Sequence, residues 1–220
     1  MTKTDKGYRG IGMEGAIARW YATNNAKSPT RYDEQVAMVR QRAGKGARIL
    51  EVAPGPGFLS IGLAATGDYT VTGLDISETF VQIARARAAE AGVRVDFLLG
   101  NASAMPFDDD GFDFLVCCAA FKNFSDPVQA LREMRRVLRP GGRGLILDLR
   151  KDVSKQAVDE DVARMEMGAL SRMFTRFALK SFLPRRAYTK GDFERMTTQA
   201  GLGTCEIRQS PLSLEVEFQK

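Results

Sequence analysis

Short apolar runs alternate with amphipathic stretches through the middle of the chain, and this alternation is its clearest structural signal. Runs at 48–53, 69–75, 93–99, 113–119 and 143–149 have the length and composition of strands buried on both faces. Between them, 58–65, 78–91 and 126–138 read as helices, with Ser77 placed to cap the second. Strands alternating with helices predict a doubly wound α/β domain whose parallel sheet is covered on both faces by right-handed crossovers. In such a sheet, ligands sit outside the carboxyl ends of the strands. Glu51, Asp75, Asn101 and Ala119 all fall at such ends, so one crevice can collect them.

The flanks depart from this pattern. The first residues read as a disordered start leading into helices at about 14–22 and 32–41. Beyond the core, 189–200 reads as a helix, and 204–210 and 212–218 as two strands split by Pro211. Residues 152–186 form an insert that the core does not need. The expected plan is one domain: a helical cap over 1–43, a cofactor-binding core over 44–150, a helical lid over 151–187, and a closing helix and strand pair over 188–220.

Composition adds limits more than direction. At 220 residues, 44% hydrophobic and 27% charged, the chain suits one globular domain. The net charge of +5 is spread out except around Lys180, Arg185, Arg186 and Lys190. That cluster allows peripheral contact with an anionic membrane or nucleic acid, but a solvated basic face explains it as well. Cys117, Cys118 and Cys205 lack metal-ligand spacing, and the first two lie in an apolar run, as expected for a reduced, cytoplasmic chain. No apolar run approaches the roughly 20 residues that cross a bilayer.

The chemistry begins at ILEVAPGPGF, where an apolar run ends at Glu51 and breaks into Gly55-Pro56-Gly57 before a helix starts. Glycines at such a turn let a ligand approach the backbone. Eighteen residues past Gly57, Asp75 ends the next strand, close to the roughly 20-residue spacing of a ribose-binding acid. A dinucleotide fingerprint would place a third glycine where Ser60 stands, and a phosphate-binding loop would end in Gly-Lys-Ser/Thr. No Lys or Arg lies between Ala53 and Arg85. These residues point to an adenosine-like ligand without phosphates.

Residues 48–150 resemble the class I S-adenosylmethionine-dependent methyltransferases, nearest their ubiquinone/menaquinone-biosynthesis-like small-molecule group. The family's E/D-x-G-x-G-x-G motif falls on Glu51, Ala53, Gly55 and Gly57, with Ala53 replacing the first glycine. Its ribose-binding acid corresponds to Asp75, followed by Ile76. Its adenine-contacting G-D-A segment corresponds to Gly100-Asn101-Ala102, with Asn101 where Asp is usual. Leu138-Arg139-Pro140-Gly141-Gly142 fits its L-x-P-G-G turn. The resemblance implies S-adenosyl-L-methionine as cofactor, S-adenosyl-L-homocysteine as product, and a seven-stranded sheet closed by an antiparallel hairpin. Ala119 belongs to the same expected cofactor rim, and Tyr21 on the first helix, next to Trp20, is a candidate aromatic wall.

For the acceptor, the chain excludes more than it specifies. It has no histidine, so the commonest general base is missing. The stretch after the fourth strand reads Ala120-Phe121-Lys122-Asn123, without the Asn/Asp-Pro-Pro-aromatic tetrapeptide of many nucleic-acid or amine methyltransferases, and neither Cys117 nor Cys118 follows proline. Oxygen or activated carbon of a small lipophilic or aromatic acceptor is therefore expected. Phe121, Met165, Leu170 and Phe174 are candidate acceptor contacts, the last three on a broad apolar arc of the insert that packing alone would also explain. Glu166 interrupts that arc and is a candidate base, or else a mis-phased or ion-paired residue; Asn123 is a second catalytic candidate. Asp108-Asp109-Asp110 before Gly111 reads as a solvated turn, and no metal is expected. The rivals are a nicotinamide-linked oxidoreductase, a nucleic-acid methyltransferase, and a non-catalytic binding protein on the same fold.

Overall fold

The computed structural model of the chain describes residues 7–9, 12–26, 29–164 and 169–220. Two helices, α1 (Gly15–Asn25) and α2 (Pro29–Arg40), precede the sheet. The core then alternates β1 (Arg48–Val52), α3 (Phe58–Ala65), β2 (Thr70–Asp75), α4 (Glu78–Glu90), β3 (Asp96–Leu99), β4 (Phe112–Cys118), α5 (Pro127–Val137) and β5 (Leu138–Leu149). The insert contributes α6 (Lys155–Arg164), α7 (Ala169–Phe177) and a wider helical turn over Ala178–Phe182. It is followed by α8 (Lys190–Ala200), β6 (Cys205–Gln209) and β7 (Ser213–Gln219).

The sheet runs β3-β2-β1-β4-β5-β7-β6. Its first five strands are parallel; β7 pairs antiparallel with both β5 and β6. Strand order reverses between β1 and β4, which is where a doubly wound sheet opens a crevice at its carboxyl edge. Alternate residues feed opposite faces: Ile49 and Phe114 pack with Leu59 and Leu63 of α3, whereas Leu50 and Leu115 pack with α5 and α8 through Leu131, Met134 and Phe193. Because both faces are covered, the central strands read as unbroken apolar runs.

Three local expectations shift. The third strand is shorter than 93–99 because Val93 N–H turns back to Ala88 O and closes α4. The fifth is longer than 143–149: pairing to β4 jumps from Phe112–Leu138 to Phe114–Arg143, looping out the Pro-Gly-Gly turn, while Gly141 and Gly142 bond Lys220 at the end of the chain. The apolar arc of the insert is divided between α6 and α7, which Asp159 joins by ion pairs to Arg176 (2.9 Å) and Lys180 (2.6 Å). Val158 and Val162 on α6 are fully buried; Met173 and Phe177 on α7 are 65% and 64% exposed. Ser77 does cap α4, accepting Phe80 N–H at 3.1 Å.

Candidate active site

Asp75 organises the cofactor side of the crevice. Its carboxylate accepts Gly55 N–H at 2.8 Å and Ser77 N–H at 2.9 Å, so the tip of β2 is tied directly to the glycine turn after β1. Burial raises its pKa to about 6, against the lowering effect of those two backbone bonds. Glu51, 3% exposed beneath the same turn, is hydrogen-bonded by Ser60 Oγ, and burial raises its pKa to about 7. Two buried acids raised in this way beside one turn make the crevice a candidate site.

The glycines of the turn have different roles. Gly55 lies at φ 55, and a Cβ there would meet nothing nearer than Phe80 at 4.0 Å, which leaves the backbone open to a ligand. Gly57 lies at φ 80, and its Cβ would stand 2.8 Å from Phe97 and 2.9 Å from Ala84. Gly57 therefore allows α4 and β3 to close on the turn; its missing side chain faces the core. Ala53 after β1 and Ala119 after β4 are both left-handed, at φ 58, although neither is glycine. These two strained residues end the neighbouring strands that flank the switch point.

Around this turn, Ile76 is 38% exposed and Ala102 is buried. Asn101 Oδ1 accepts Ser103 N–H at 2.9 Å, so the side chain braces its own loop. Tyr21 meets Phe80 edge-on at 5.8 Å and thereby reaches the Gly55 side, while Trp20 is 59% exposed.

The start of the chain, expected to be disordered, contributes to the rim. Gly7 is buried at φ 59, and a Cβ on it would lie 2.5 Å from Ile76 and 2.7 Å from Asn101. Ser125 N–H donates to Gly7 O at 3.3 Å and Arg9 N–H donates to Asn123 O at 2.7 Å. Residues 7–9 thus bridge the loops after β2, β3 and β4. Further on, Glu14 accepts the free N–H groups of Glu78 and Thr79 at the start of α4, at 3.0 and 3.1 Å. These contacts pair backbone groups far apart in sequence and leave no apolar periodicity to read.

At the tips of β4 and β5 lies a group that sequence reasoning missed. Lys122 is 6% exposed and Asp148 is 4% exposed. Lys122 Nζ donates to Asp148 Oδ1 at 2.7 Å and also to Ala119 O. Asp148 further accepts Lys122 N–H at 2.8 Å and Leu149 N–H at 2.7 Å. Phe121 is fully buried, stacked on Phe193 at 5.1 Å and edge-on to Tyr188 at 5.9 Å. Its ring, expected against the acceptor, instead seats the loop. Asn123 is held through its backbone, its carbonyl accepting Arg9 N–H.

Leu170 and Phe174 lie on α7, whereas Met165 and Glu166 fall outside the described residues. The triple-Asp turn is held by ion pairs, Asp109 to Arg136 at 2.8 Å and Asp110 to Lys220 at 2.6 Å. Among the described residues, no three His, Cys, Asp or Glu side chains stand together as a metal would need. Burial raises the pKa of Cys117, leaving it a poor nucleophile.

Comparison with known proteins places this architecture. Residues 50–146 match the family described as methyltransferase domain. A demethylmenaquinone methyltransferase of Clavibacter sepedonicus is 41% identical over 103 residues, covering 47% of this chain and 41% of that protein. One from Thermus thermophilus is 40% identical over 102 residues, 46% of each chain. The chain spans less than half the length of these relatives in the matched region. Among solved structures, an S-adenosylmethionine-dependent methyltransferase assignment from Methanococcus maripaludis superposes with a TM-score of 0.77 at 20% identity, covering 96% of this chain and 95% of that one. The cyclase SpnF shares the fold too, with a TM-score of 0.64 at 21% identity over 86% of this chain and 80% of its own. Residues 50–146 of this chain therefore match a methyltransferase domain, and the chain as a whole shares the fold of these solved structures. The sequence relatives named above are demethylmenaquinone methyltransferases.

The residues fit that cofactor. Gly55 presents open backbone, Asp75 is fixed beside it, and Ile76 offers an apolar wall.

Proposed function

We propose that the protein transfers a methyl group from S-adenosylmethionine to carbon or oxygen of a small, lipophilic hydroxyarene, with a reduced quinone as the favoured acceptor. The observation that carries this reading is the bond from Gly55 N–H to the Asp75 carboxylate, which ties the glycine turn after β1 to the tip of β2. The quinone class is carried over from the names of the sequence relatives.

The bound cofactor would supply a methyl on a positively charged sulfur, to be taken by the acceptor's electron pair while the methyl–sulfur pair stays on sulfur. Asp75 would accept from ribose hydroxyls, Ile76 and Ala102 would enclose the base, and Tyr21 would close the outer side through Phe80. Glu51 beneath the turn adds negative potential that favours a cationic ligand. Ala119 and Asn123 carry the rim on the side of β4, where the acceptor would lie. Leu170 and Phe174 would cover an apolar acceptor from the insert, together with Met165, and Glu166 is the carboxylate proposed to take a proton there.

Membrane contact, if the acceptor resides in a bilayer, would fall on the exposed Met173 and Phe177 more than on the basic cluster. Lys180 and Lys190 of that cluster already face Asp159 and Glu194, at 2.6 and 3.9 Å. Among the described residues no helix is long and apolar enough to cross a membrane.

Titration calorimetry with S-adenosylmethionine, S-adenosylhomocysteine and a nicotinamide dinucleotide tests the cofactor. Binding of the first two and not the third is expected. Mass spectrometry after incubation with 1,4-dihydroxynaphthalene under reducing conditions tests the acceptor class, and a single methyl addition is expected. Cofactor binding without methylation of any hydroxyarene would favour a binding protein on this fold.

A further inference from the structure

We propose that Lys122, positioned by Asp148, binds the acceptor's oxygen as an anion, so that the site selects hydroxyarenes acidic enough to ionise on binding. This rests on the methyl-transfer reading and adds a residue and a selection rule to it.

The geometry of the ammonium group is the first support. An ammonium has three N–H donors. Those of Lys122 meet Asp148 Oδ1 and Ala119 O, and the third has no partner among the described residues. Asp148 is committed inward by the backbone N–H groups of Lys122 and Leu149, so it holds the cation in place.

The energetic cost is the second. Removing a charge pair from water is costly, and an apolar pair of the same size often braces two strands as well or better. A buried cation at the tips of β4 and β5, next to the switch point and with one N–H left over, is therefore suited to hold an anion.

The third is a neighbouring phenol. Tyr188 OH is buried, its oxygen faces the Arg9 guanidinium, and its own proton meets no acceptor among the described residues. Its ring packs on Phe121, the residue preceding Lys122. Burial raises the Tyr188 pKa, Arg9 opposes that, and Asp148 and Asp192 add to it, so these groups sense one another across the loop. The Arg9 guanidinium stands 5.9 Å from the Tyr188 ring centre. A neutral phenol donor and a fixed cation are what an aryl oxyanion accepts from.

The chemistry balances with Lys122 taking no proton itself. The acceptor's O–H bond breaks, its proton passes to solvent, in turnover by way of the base proposed above, and its electron pair stays on oxygen, where it enriches that atom and the ring carbons beside it. Lys122 keeps all its protons throughout. A chain without histidine can in this way present a reactive acceptor.

The test uses 4-nitro-1-naphthol, whose phenolate absorbs visible light, bound to the full chain without cofactor. Its apparent ionisation pH should fall by about one unit or more on binding the unaltered protein, as a nearby opposite charge requires. Lys122→Arg should keep most of the shift. Lys122→Met combined with Asp148→Asn removes both charges while leaving an acceptor for the backbone, and should abolish the shift without changing cofactor affinity more than about twofold. Tyr188→Phe should reduce it. An unshifted probe on the unaltered protein, a full shift in the double variant, or failure of the probe to bind at all would overturn the proposal. Failure of S-adenosylmethionine to bind is a separate result: it would remove the methyl-transfer reading and leave the spectral shift standing.

Discussion

The two halves of the crevice are built in different ways. On the β1–β2–β3 side, backbone N–H groups and one carboxylate make the site: Gly55 bonds Asp75, and Asp75 bonds Ser77. On the β4–β5 side, side chains from distant segments converge: Lys122 and Asp148 are 26 residues apart, and Tyr188 and Arg9 come from opposite ends of the chain. A site made by backbone geometry needs only a short local motif, whereas a site made by side chains can be exchanged without disturbing the fold. The family match over 50–146 holds the whole of the first half and Lys122 of the second, and leaves Asp148, Tyr188 and the insert outside it.

The harshest way to break the first half is at Gly57. Gly57→Ala places a Cβ within 3 Å of Phe97 and Ala84 at a φ of 80. Overpacking and left-handed strain together should cost about 3 kcal/mol of stability. Chemical denaturation should show a lower midpoint with an unchanged slope. An unaltered midpoint would mean that this glycine faces the ligand after all.

A change at Asp75 should separate binding from folding. Asp75→Asn keeps the shape and one acceptor oxygen but loses the charge that Gly55, Ser77 and a ribose would share. Loss of charge-assisted bonds predicts about 30-fold weaker cofactor binding, roughly 2 kcal/mol. Acceptor KM at saturating cofactor should stay put. An equal rise in both constants would dissolve the division between the halves.

How much of this was legible follows from the same division. Glu51, Gly55, Gly57 and Asp75 announce themselves because a strand, a turn and a helix must be spelled in adjacent residues. Lys122 and Asp148 do not, since a charged residue after a strand looks solvated until the fold buries it. The core of the fold was legible because alternation of strand and helix follows from burial on two faces, and α8 and the closing β6–β7 pair, split at Pro211, were legible as well. The strap at residues 7–9 was read as disorder because a glycine lying against Ile76 and Asn101 has no hydrophobic signature. The insert was read as one arc, yet Asp159 of α6 pairs with Arg176 of α7 and with Lys180, contacts that periodicity does not encode.

Glu166, the proposed base, offers a further test of the acceptor half. Glu166→Gln should lower turnover about tenfold with cofactor affinity unchanged, the scale of a modest general-base contribution being tenfold or more. Steady-state rates with 1,4-dihydroxynaphthalene read it, and an unchanged rate would remove this carboxylate from the mechanism.

Acidity should move stability and binding in opposite directions on the cofactor side. Burial raises Glu51 to about 7 and Asp75 to about 6. Carboxyls raised on folding contribute stability that is present below their unfolded values and lost as pH climbs through the folded ones. The ligand-free protein should therefore lose stability between about pH 4 and 7. A cationic cofactor prefers the ionised carboxylates, so its affinity should rise about tenfold between pH 5 and 8. Glu51→Gln should remove the upper part of that rise. Parallel thermal melts and calorimetry across the range check both signs.

The smallest effects should come from the two left-handed alanines, and they discriminate best between the halves. A left-handed non-glycine residue costs roughly 1–2 kcal/mol, while glycine gives back about 0.5–1 through the freer unfolded chain. Ala53→Gly and Ala119→Gly should each stabilise the protein by under about 1 kcal/mol. Their functional effects should differ. Ala53→Gly leaves a turn still pinned by Gly55 and Asp75, so cofactor affinity should hold. Ala119→Gly loosens the carbonyl that Lys122 Nζ clasps, so acceptor KM should rise about two- to threefold, a few tenths of a kcal/mol. Equal behaviour of the two variants toward the acceptor would show that the strain at Ala119 serves the fold alone.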